Sequence, residues 1–502
     1  MQHRLTRRAA LGAIAAALGS TALAAPPTVS LRPRARPLDT GTDPSAVPPE
    51  TRATLDELIA EAGLAGVVGL ALADVATGQV IEERSGSEGR PPASVAKALT
   101  ALYALETVGP RHRYATRVLA IGTITDGRLD GDLALCGTGD PTFQTDDAFA
   151  LAEAVKEAGI VEVTGRFLVW AGALPYEDEI APDQLDHLAY NPSVSGLNLN
   201  FNRVHFQWTR SGSSYDVTLD ARSGRHQPEV AMARMEVVDR PRPVYTYASV
   251  DEVDHWSVAR RYLGDGGARW LPVRRPALYC GDVFRTFARS HGIILPEPER
   301  AAVEPTGEEI ARHDSGDLEG IITDMLRYST NLTAEVVGLT ATRETSGLPD
   351  SIPGSAAAMN DWLAETHGVE SGLVDHSGLG DDSRISALQM VKMLTGEGVM
   401  DRLKPVMKDH VLKDDAGAPI QGYPAEVTAK TGTLNFVSAL AGYIRTAEGA
   451  DLAFAIFCAD LDLRAEAIES GDEIPDGARW WNGRAKGLQQ KLLQRWGLIY
   501  SG

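Results

Sequence analysis

The chain has 502 residues, 43% apolar and 23% charged, with 49 Gly and 28 Pro, a globular composition that excludes a collagen, a coiled-coil rod or a mostly disordered chain. At ~150 residues per domain the length calls for about three domains and more than one core. Sixty-eight acids against 48 bases give a net charge of −20, which disfavours nucleic-acid and peripheral-membrane roles and requires a local basic group to catch any anionic substrate.

The first element is an export signal. Arg4, Arg7 and Arg8 form a basic start, Ala9 to Leu23 is apolar, and Ala22-Leu23-Ala24 is a small-x-small cleavage site followed by Pro26-Pro27. Thr6-Arg7-Arg8-Ala9-Ala10-Leu11 also resembles a bacterial twin-arginine signal, a reading that stands beside that of a plain basic start. Residues 1–24 hold three Arg and no acid, so their removal leaves a charge of −23. No later stretch approaches the length of a membrane span, so none is expected in the mature chain. Residues 25–50, rich in Pro, Arg, Ser and Thr, read as a flexible leader.

Thr54–Ala62 has the pattern of a short amphipathic helix, and Gly66–Asp74 with Gln79–Arg84 that of a β-hairpin around Ala76-Thr77-Gly78. Pro91-Pro92-Ala93-Ser94 then opens a helix apolar on nearly every side as far as Leu105, which predicts burial in the middle of a domain. From Arg111 the texture turns to short β-like runs: Arg117–Thr125, Gly131–Cys136, Gly165–Trp170, Leu197–Trp208 and Tyr215–Thr218. Helices are expected within this region at Asp147–Ala158 and Cys280–His291, and beyond it at Asp317–Leu326, Leu332–Thr342, Gly354–Thr366 and Ser386–Thr395. Three consecutive strands follow, Glu426–Thr433, Ser438–Thr446 and Asp451–Asp460. A last helix from Ala478 to Trp496 carries Trp480, Leu488, Leu492 and Trp496.

The cysteines Cys136, Cys280 and Cys458 allow at most one bridge. Cys458, in an apolar run, reads as a buried small hydrophobe, and the pairing of Cys136 with Cys280 is left open. No H-E-x-x-H, no C-x-x-C and no G-x-G-x-x-G occurs, so no metal or nucleotide site is expected.

Three short patterns carry chemistry. In Ser94-x-x-Lys97 a serine at the mouth of a buried helix stands near the positive dipole end, and a lysine one turn deeper shares its face. Desolvation lowers a buried lysine's pKa, so the neutral amine can take the serine proton, which an arginine cannot do. Ser329-Thr330-Asn331, between two helices, can aim a hydroxyl and a carboxamide at one point. Lys430-Thr431-Gly432-Thr433, at the end of a strand, pairs a positive charge with a glycine that lets a ligand lie against the strand edge. Alone, each has an ordinary explanation: a capping serine with a surface lysine, an interhelical turn, a strand with a bulge. Their order and settings match the set shared by β-lactamases and penicillin-binding proteins.

With that set in place, the chain resembles the three-domain, low-molecular-mass penicillin-binding D-alanyl-D-alanine carboxypeptidases and endopeptidases. Gly137-Thr138-Gly139-Asp140-Pro141-Thr142, Tyr190-Asn191-Pro192 with Leu197-Asn198-Leu199-Asn200, and Asp375-His376-Ser377-Gly378-Leu379 are similar to stretches of that family, as is the gap of 235 residues from Ser94 to Ser329. Thr330, where Asp is usual, and His376, where a small residue is commoner, depart from the pattern.

The resemblance implies an α+β fold. Residues 51–110 plus 301–502 would form a β-lactamase/transpeptidase-like domain, an antiparallel sheet flanked by helices, split by a β-rich insertion at 111–300 that carries a nested domain. The strand pattern agrees, since the 66–84 hairpin and the 426–460 strands can share a sheet only if the middle loops out. The implied chemistry is acyl transfer without a cofactor, on peptidoglycan stem peptides, with β-lactam antibiotics as covalent inhibitors. Ser94 would be the nucleophile and Lys97 its base. Ser329, bonded between Lys97 and the leaving amine, would relay the proton, and Asn331 would hold the substrate amide. Lys430, Thr431, Gly432 and Thr433 would receive the carboxylate or flanking backbone, with the N–H groups of Ser94 and Thr433 as oxyanion hole. Two alternatives are a β-lactamase-like hydrolase with fast deacylation and a catalytically idle cell-wall scaffold.

Overall fold

The structure, a computed structural model, describes residues 53–500; the expected signal (1–24) and leader (25–50) lie outside the described residues. The described residues open with α1 (Leu55–Ala62), whose N-cap Thr54 and Glu57 form a reciprocal capping box and which ends at Gly63 in the left-handed region. Strands β1 (Val67–Asp74) and β2 (Val80–Arg84) form the expected hairpin, its turn held by the Asp74 carboxylate, which accepts from the Thr77 N–H at 2.8 Å. A single 3₁₀ turn, Ala93–Val95, leads into α2 (Ala96–Thr107), buried from Ala96 to Ala104 as its all-round apolar sequence requires.

The chain then leaves this layer. Strands β3 (Ala115–Thr125) and β4 (Arg128–Gly137) pair antiparallel, and after α3 (Thr145–Glu157) the strands β5 (Glu162–Val163) and β6 (Phe167–Trp170) run parallel to β4. Six further strands follow: β7 (Arg203–Ser211), β8 (Ser214–Asp220), β9 (Ala233–Val238), β10 (Tyr245–Val250), β11 (Val253–Ala259) and β12 (Gly266–Pro272). They make two small sheets, β12-β7-β8 and β10-β11-β9, before α4 (Pro276–Ser290), β13 (Pro298–Arg300) and β14 (Glu308–Asp314) complete a sheet in the order β13-β6-β4-β3-β14.

Two details of the strands differ from the sequence pattern. β14, which follows the expected domain bound at residue 301, pairs with the outer edge of β3, with Arg312 opposite Arg117 and Asp314 opposite Ala115, and buries Ala311 in the core beside that sheet. The crossing back is at Ser315, where backbone and side chain clasp Tyr114: the Ser315 N–H donates to the Tyr114 carbonyl at 2.9 Å, and Ser315 Oγ accepts from the Tyr114 N–H at 3.0 Å. The run expected as one strand from Leu197 begins only at Arg203. Asn200, Phe201 and Asn202 all have φ between 50° and 58°, and buried Asn202 holds the bend by accepting from the Leu199 N–H at 3.2 Å.

Helices α5 (Leu318–Tyr328), α6 (Asn331–Ser346), α7 (Ile352–His367), α8 (Ala387–Leu394) and α9 (Val399–Leu403) follow. Strands β15 (Lys408–Asp409), β16 (Glu426–Leu434), β17 (Val437–Arg445) and β18 (Asp451–Ala459) come next, then α10 (Leu461–Ser470) and α11 (Ala478–Ile499). β1 and β2 join the late strands in one antiparallel sheet, β15-β16-β17-β18-β1-β2. Both faces are covered, so its central strands are apolar on both sides. Ala71, Ala73, Ala455 and Phe457 meet the layer made by α2 and α5 to α9, and Leu70, Leu72, Phe454 and Ile456 meet α1 and α11. In α11 the core tryptophan is Trp481 at 2% exposure, with Leu488, Leu492 and Trp496, whereas Trp480 is 62% exposed under the Arg484 guanidinium. All three cysteines are buried and unbridged. Among the described residues no helix is long and apolar enough to cross a membrane.

Candidate active site

The tight turn before α2 places Ser94. Ala93 adopts φ 45° although fully buried, and the Val95 N–H closes the turn onto the Pro92 carbonyl at 3.1 Å. A non-glycine residue in this conformation costs about 1–3 kcal/mol and persists only where its surroundings hold it. They do so on two sides, by Gly378 against the Ala93 carbonyl and by Gly432 of β16. A Cβ on Gly432 would lie 2.7 Å from the Pro92 carbonyl, 2.9 Å from Ala93 Cβ and 3.0 Å from the Ser94 nitrogen. The glycine between Lys430 and Thr433 therefore lets the strand touch the serine turn. Gly432→Ala is expected to push β16 off that turn and to slow acylation by penicillin by about a hundredfold, since a shift of about 1 Å at a reacting centre has that cost. Comparing the second-order acylation rate of this variant with that of the parent checks it.

Lys97 is fully buried one turn below Ser94. Its Nζ lies 2.9 Å from Ser94 Oγ, 2.7 Å from Asn331 Oδ1 and 2.8 Å from the Ser377 carbonyl oxygen. Two of these partners are carbonyl oxygens and can only accept. The serine hydroxyl alone can also donate, so a neutral amine giving its two N–H bonds to the carbonyls turns its lone pair to Ser94. Burial pulls Lys97 down to about 8, against the opposing fields of Glu335 and Asp375.

Those two acids are fully buried as well. Glu335, on α6, is pushed up by burial and then by the charge of Asp375, and its Oε2 accepts from the His376 N–H at 3.0 Å. Burial likewise raises Asp375, against the N–H groups of Gly380 at 2.5 Å and Gly378 at 2.6 Å. His376, beside them, is fully buried over Gly338, whose missing side chain makes room for the ring, and its Nε2 lies 2.8 Å from Ser355 Oγ. Burial holds its imidazole down at about 3, so it is neutral.

Ser329 ends α5 in the left-handed conformation, φ 61°, and Asn331 starts α6. The structure differs here from the expected bonding. Ser329 Oγ accepts from Lys430 Nζ at 2.9 Å, and it is Asn331, not Ser329, that Lys97 reaches. Lys430, 2% exposed, also donates to the Thr431 carbonyl at 2.7 Å, and burial, with the charges of Lys97 and Lys408, holds its amine well below the ordinary lysine range. Thr431 and Thr433 alternate to the exposed side of β16. β15 pairs only with Thr428 and Ala429, so among the described residues no strand pairs with the edge of β16 from Lys430 to Leu434. A cleft of about 330 Å³ opens there, lined by Ser94, Ser329, Asn331 and Thr433, with Leu188 and Tyr190 of the inserted region facing them. An extended peptide can lie along such an edge with its carbonyl at a serine.

The profile of the D-Ala-D-Ala carboxypeptidase 3 (S13) family matches residues 51–474. The chain belongs to that family. An S13 protein is a serine-type carboxypeptidase, and this one has the fold to match: the crystal structure of penicillin-binding protein 4 (dacB) from Haemophilus influenzae superposes with a TM-score of 0.71 at 20% identity, covering 88% of this chain and 99% of that one. The same H. influenzae protein, complexed with a novel β-lactam, gives a TM-score of 0.65 over the same shares at 20% identity. A D-alanyl-D-alanine carboxypeptidase from Actinomadura sp. (strain R39) is 27% identical over 87% of this chain and 88% of its own length.

Of the eight expected site residues of this S13 chain, Ser94, Ser329, Asn331 and Thr433 line this cleft, Lys97 and Lys430 reach them by hydrogen bonds from below, Gly432 lies against the Ser94 turn, and Thr431 lines the neighbouring pocket. Sequence reasoning did not single out Glu335, for which the signal is an acid inside the apolar run from Leu332 to Leu339, nor the carbonyls of Tyr190 and Ser377, which carry no residue-type signal.

Proposed function

We propose that this chain is an exported D-Ala-D-Ala carboxypeptidase and endopeptidase of cell-wall peptidoglycan, working through a Ser94 acyl-enzyme in the bacterial periplasm. The observation that carries the reading is the bonding of Lys97, in which Ser94 is the single partner able to give up a proton. Ser94 Oγ attacks the carbonyl carbon of the penultimate D-alanine while its proton passes to Lys97 Nζ. The oxyanion forms between the backbone N–H groups of Ser94 and Thr433, at the mouth of α2. The C–N bond then breaks as the proton taken up by Lys97 passes to the leaving amine by way of the Ser329 hydroxyl, which Lys430 holds. Lys430, Thr431 and Thr433 supply charge and hydroxyls for the terminal carboxylate, and Asn331 meets the amide of the peptide. Water then attacks the ester, giving a proton to Lys97, and that proton returns to Ser94 Oγ as the ester C–O bond breaks.

Export rests on the basic, then apolar, start of the chain. The twin-arginine route is a further part of this proposal, resting on Arg7-Arg8. Residues up to about 114 and from about 315 are assigned to the catalytic domain, and the segment between to the insertion, because the Tyr114–Ser315 clasp closes its stem.

The test is incubation with a labelled penicillin and, separately, with an acylated peptide ending in D-Ala-D-Ala. A long-lived adduct on Ser94 and release of D-alanine are expected. A short-lived adduct with rapid turnover of penicillin would make the protein a β-lactamase, and no adduct would make it an idle scaffold.

A further inference from the structure

Asn331 is gripped from two sides by opposite chemistries. Its Oδ1 accepts from Lys97 Nζ at 2.7 Å, and its Nδ2 donates to the backbone carbonyl of Tyr190 at 2.8 Å. An amine hydrogen needs an acceptor and a carbonyl needs a donor, so the carboxamide has one orientation, with one Nδ2 hydrogen left for the cleft. Without the Tyr190 carbonyl, only the bond to Lys97 would restrain it.

Tyr190 does not belong to the catalytic layers. It lies in the connection between β6 and β7, and two buried side chains shape the loop that presents it. Asn191 Oδ1 accepts the N–H groups of Ile180 and Ala181, both at 2.9 Å, and its Nδ2 donates to the Ala181 carbonyl at 2.9 Å. Arg274, between β12 and α4, sends its guanidinium, 4% exposed, into the loop. Nη1 donates to the carbonyls of Asp178 at 2.6 Å and Asn191 at 3.1 Å, and Nη2 to the Asp186 carbonyl at 3.0 Å and the Glu179 carboxylate at 3.5 Å. One planar cation thereby ties the beginning, middle and end of the 178–191 loop. Its own backbone N–H donates at 2.9 Å to Asp254, which is fully buried and accepts from Tyr247 Oη at 2.9 Å. Both lie on the nested β10–β11 hairpin.

We propose that Arg274 is a positioning residue for acylation. Through the 178–191 loop and the Tyr190 carbonyl it sets the carboxamide of Asn331, so the nested sheets contribute to the chemistry without touching substrate. The inference rests on the place given to Asn331 in the proposed function. A guanidinium suits the task because its fixed fork of donors reaches several carbonyls at once, which an ammonium cannot match.

The experiment is a double-mutant cycle on the full chain, with Asn331→Ala, Arg274→Met and both together. The readouts are second-order acylation by one penicillin and kcat and KM for release of D-alanine. Asn331→Ala is expected to slow acylation by about a hundredfold, and Arg274→Met by about tenfold, with the loss in kcat rather than KM. In the Asn331→Ala background the Arg274→Met effect should shrink to less than about twofold, because the group it sets is gone. Two losses that simply multiply would overturn the inference while leaving the role of Asn331 intact. An Asn331→Ala protein as fast as the parent would remove that role and the inference with it. If Arg274→Met does not fold, Arg274→Lys takes its place in the cycle, with a loss of a few-fold expected in the parent and none in Asn331→Ala.

Discussion

Ser94→Ala is expected to abolish covalent labelling by penicillin while changing the unfolding free energy by no more than about 1 kcal/mol. The hydroxyl makes no cap to α2, and its bond is the one shared with Lys97 Nζ, which keeps two carbonyl acceptors when the serine is gone. The fold therefore loses one half-buried hydrogen bond, whereas the chemistry loses its nucleophile. Mass spectrometry of the penicillin adduct, together with the thermal midpoint of each protein, reads both halves. Labelling of the variant at full stoichiometry would assign the nucleophile to another serine.

The second large effect is at Lys97, where chemistry and charge can be separated. Burial holds the amine near 8, below the ordinary 10.5, so the folded protein releases this proton more readily than the unfolded chain does. If the neutral amine is the base, acylation rises by about tenfold per pH unit up to that value and then levels off. Lys97→Arg keeps a permanent cation that cannot accept a proton; the rate is expected to fall by ~10²–10⁴ where the parent has levelled off, and to lose the parent's rise with pH, so that the gap narrows toward low pH. Lys430→Arg retains measurable acylation, with its loss mainly in apparent substrate affinity, because attracting a carboxylate needs only the charge. Acylation rates of the three proteins from about pH 6 to about pH 9 give the answer. A Lys97→Arg protein within a few-fold of the parent would make Lys97 a holder of charge.

Lys97 also shows how unevenly the site is written in the chain. Its relation to Ser94 is local, three residues apart on one helical face, and so is that of Lys430 to the glycine whose missing side chain admits the serine turn. Bonds of Lys97 to Asn331 and of Lys430 to Ser329 span 234 and 101 residues, and which serine or amide each lysine takes depends on how α5, α6 and β16 dock. The resemblance sets Ser329 between Lys97 and the leaving amine, whereas the docked helices set Ser329 against Lys430 and Asn331 against Lys97. Glu335 was hidden because a buried acid in an apolar helix has no meaning until the opposing lysine is found.

By itself the sequence determined the elements whose signal is periodic or local: the 66–84 hairpin, the buried helix after Ser94, the three late strands and the three short motifs. That the two ends share a sheet was implied by the family resemblance and compatible with the strand pattern, and the pairing of β1 with β18 carries it out. Tertiary structure decided what depends on a choice between near-equal alternatives. Trp481 rather than Trp480 enters the core because the rotation of α11 is set by the sheet beneath it. Residues 308–314 pair with β3 because it offers an unpaired edge, and the hydrogen bonds that fill it come from backbone groups every residue carries. For the same reason the Tyr190 carbonyl that orients Asn331 leaves no trace in the amino-acid letters: its position is a property of the loop and of the buried arginine that shapes it.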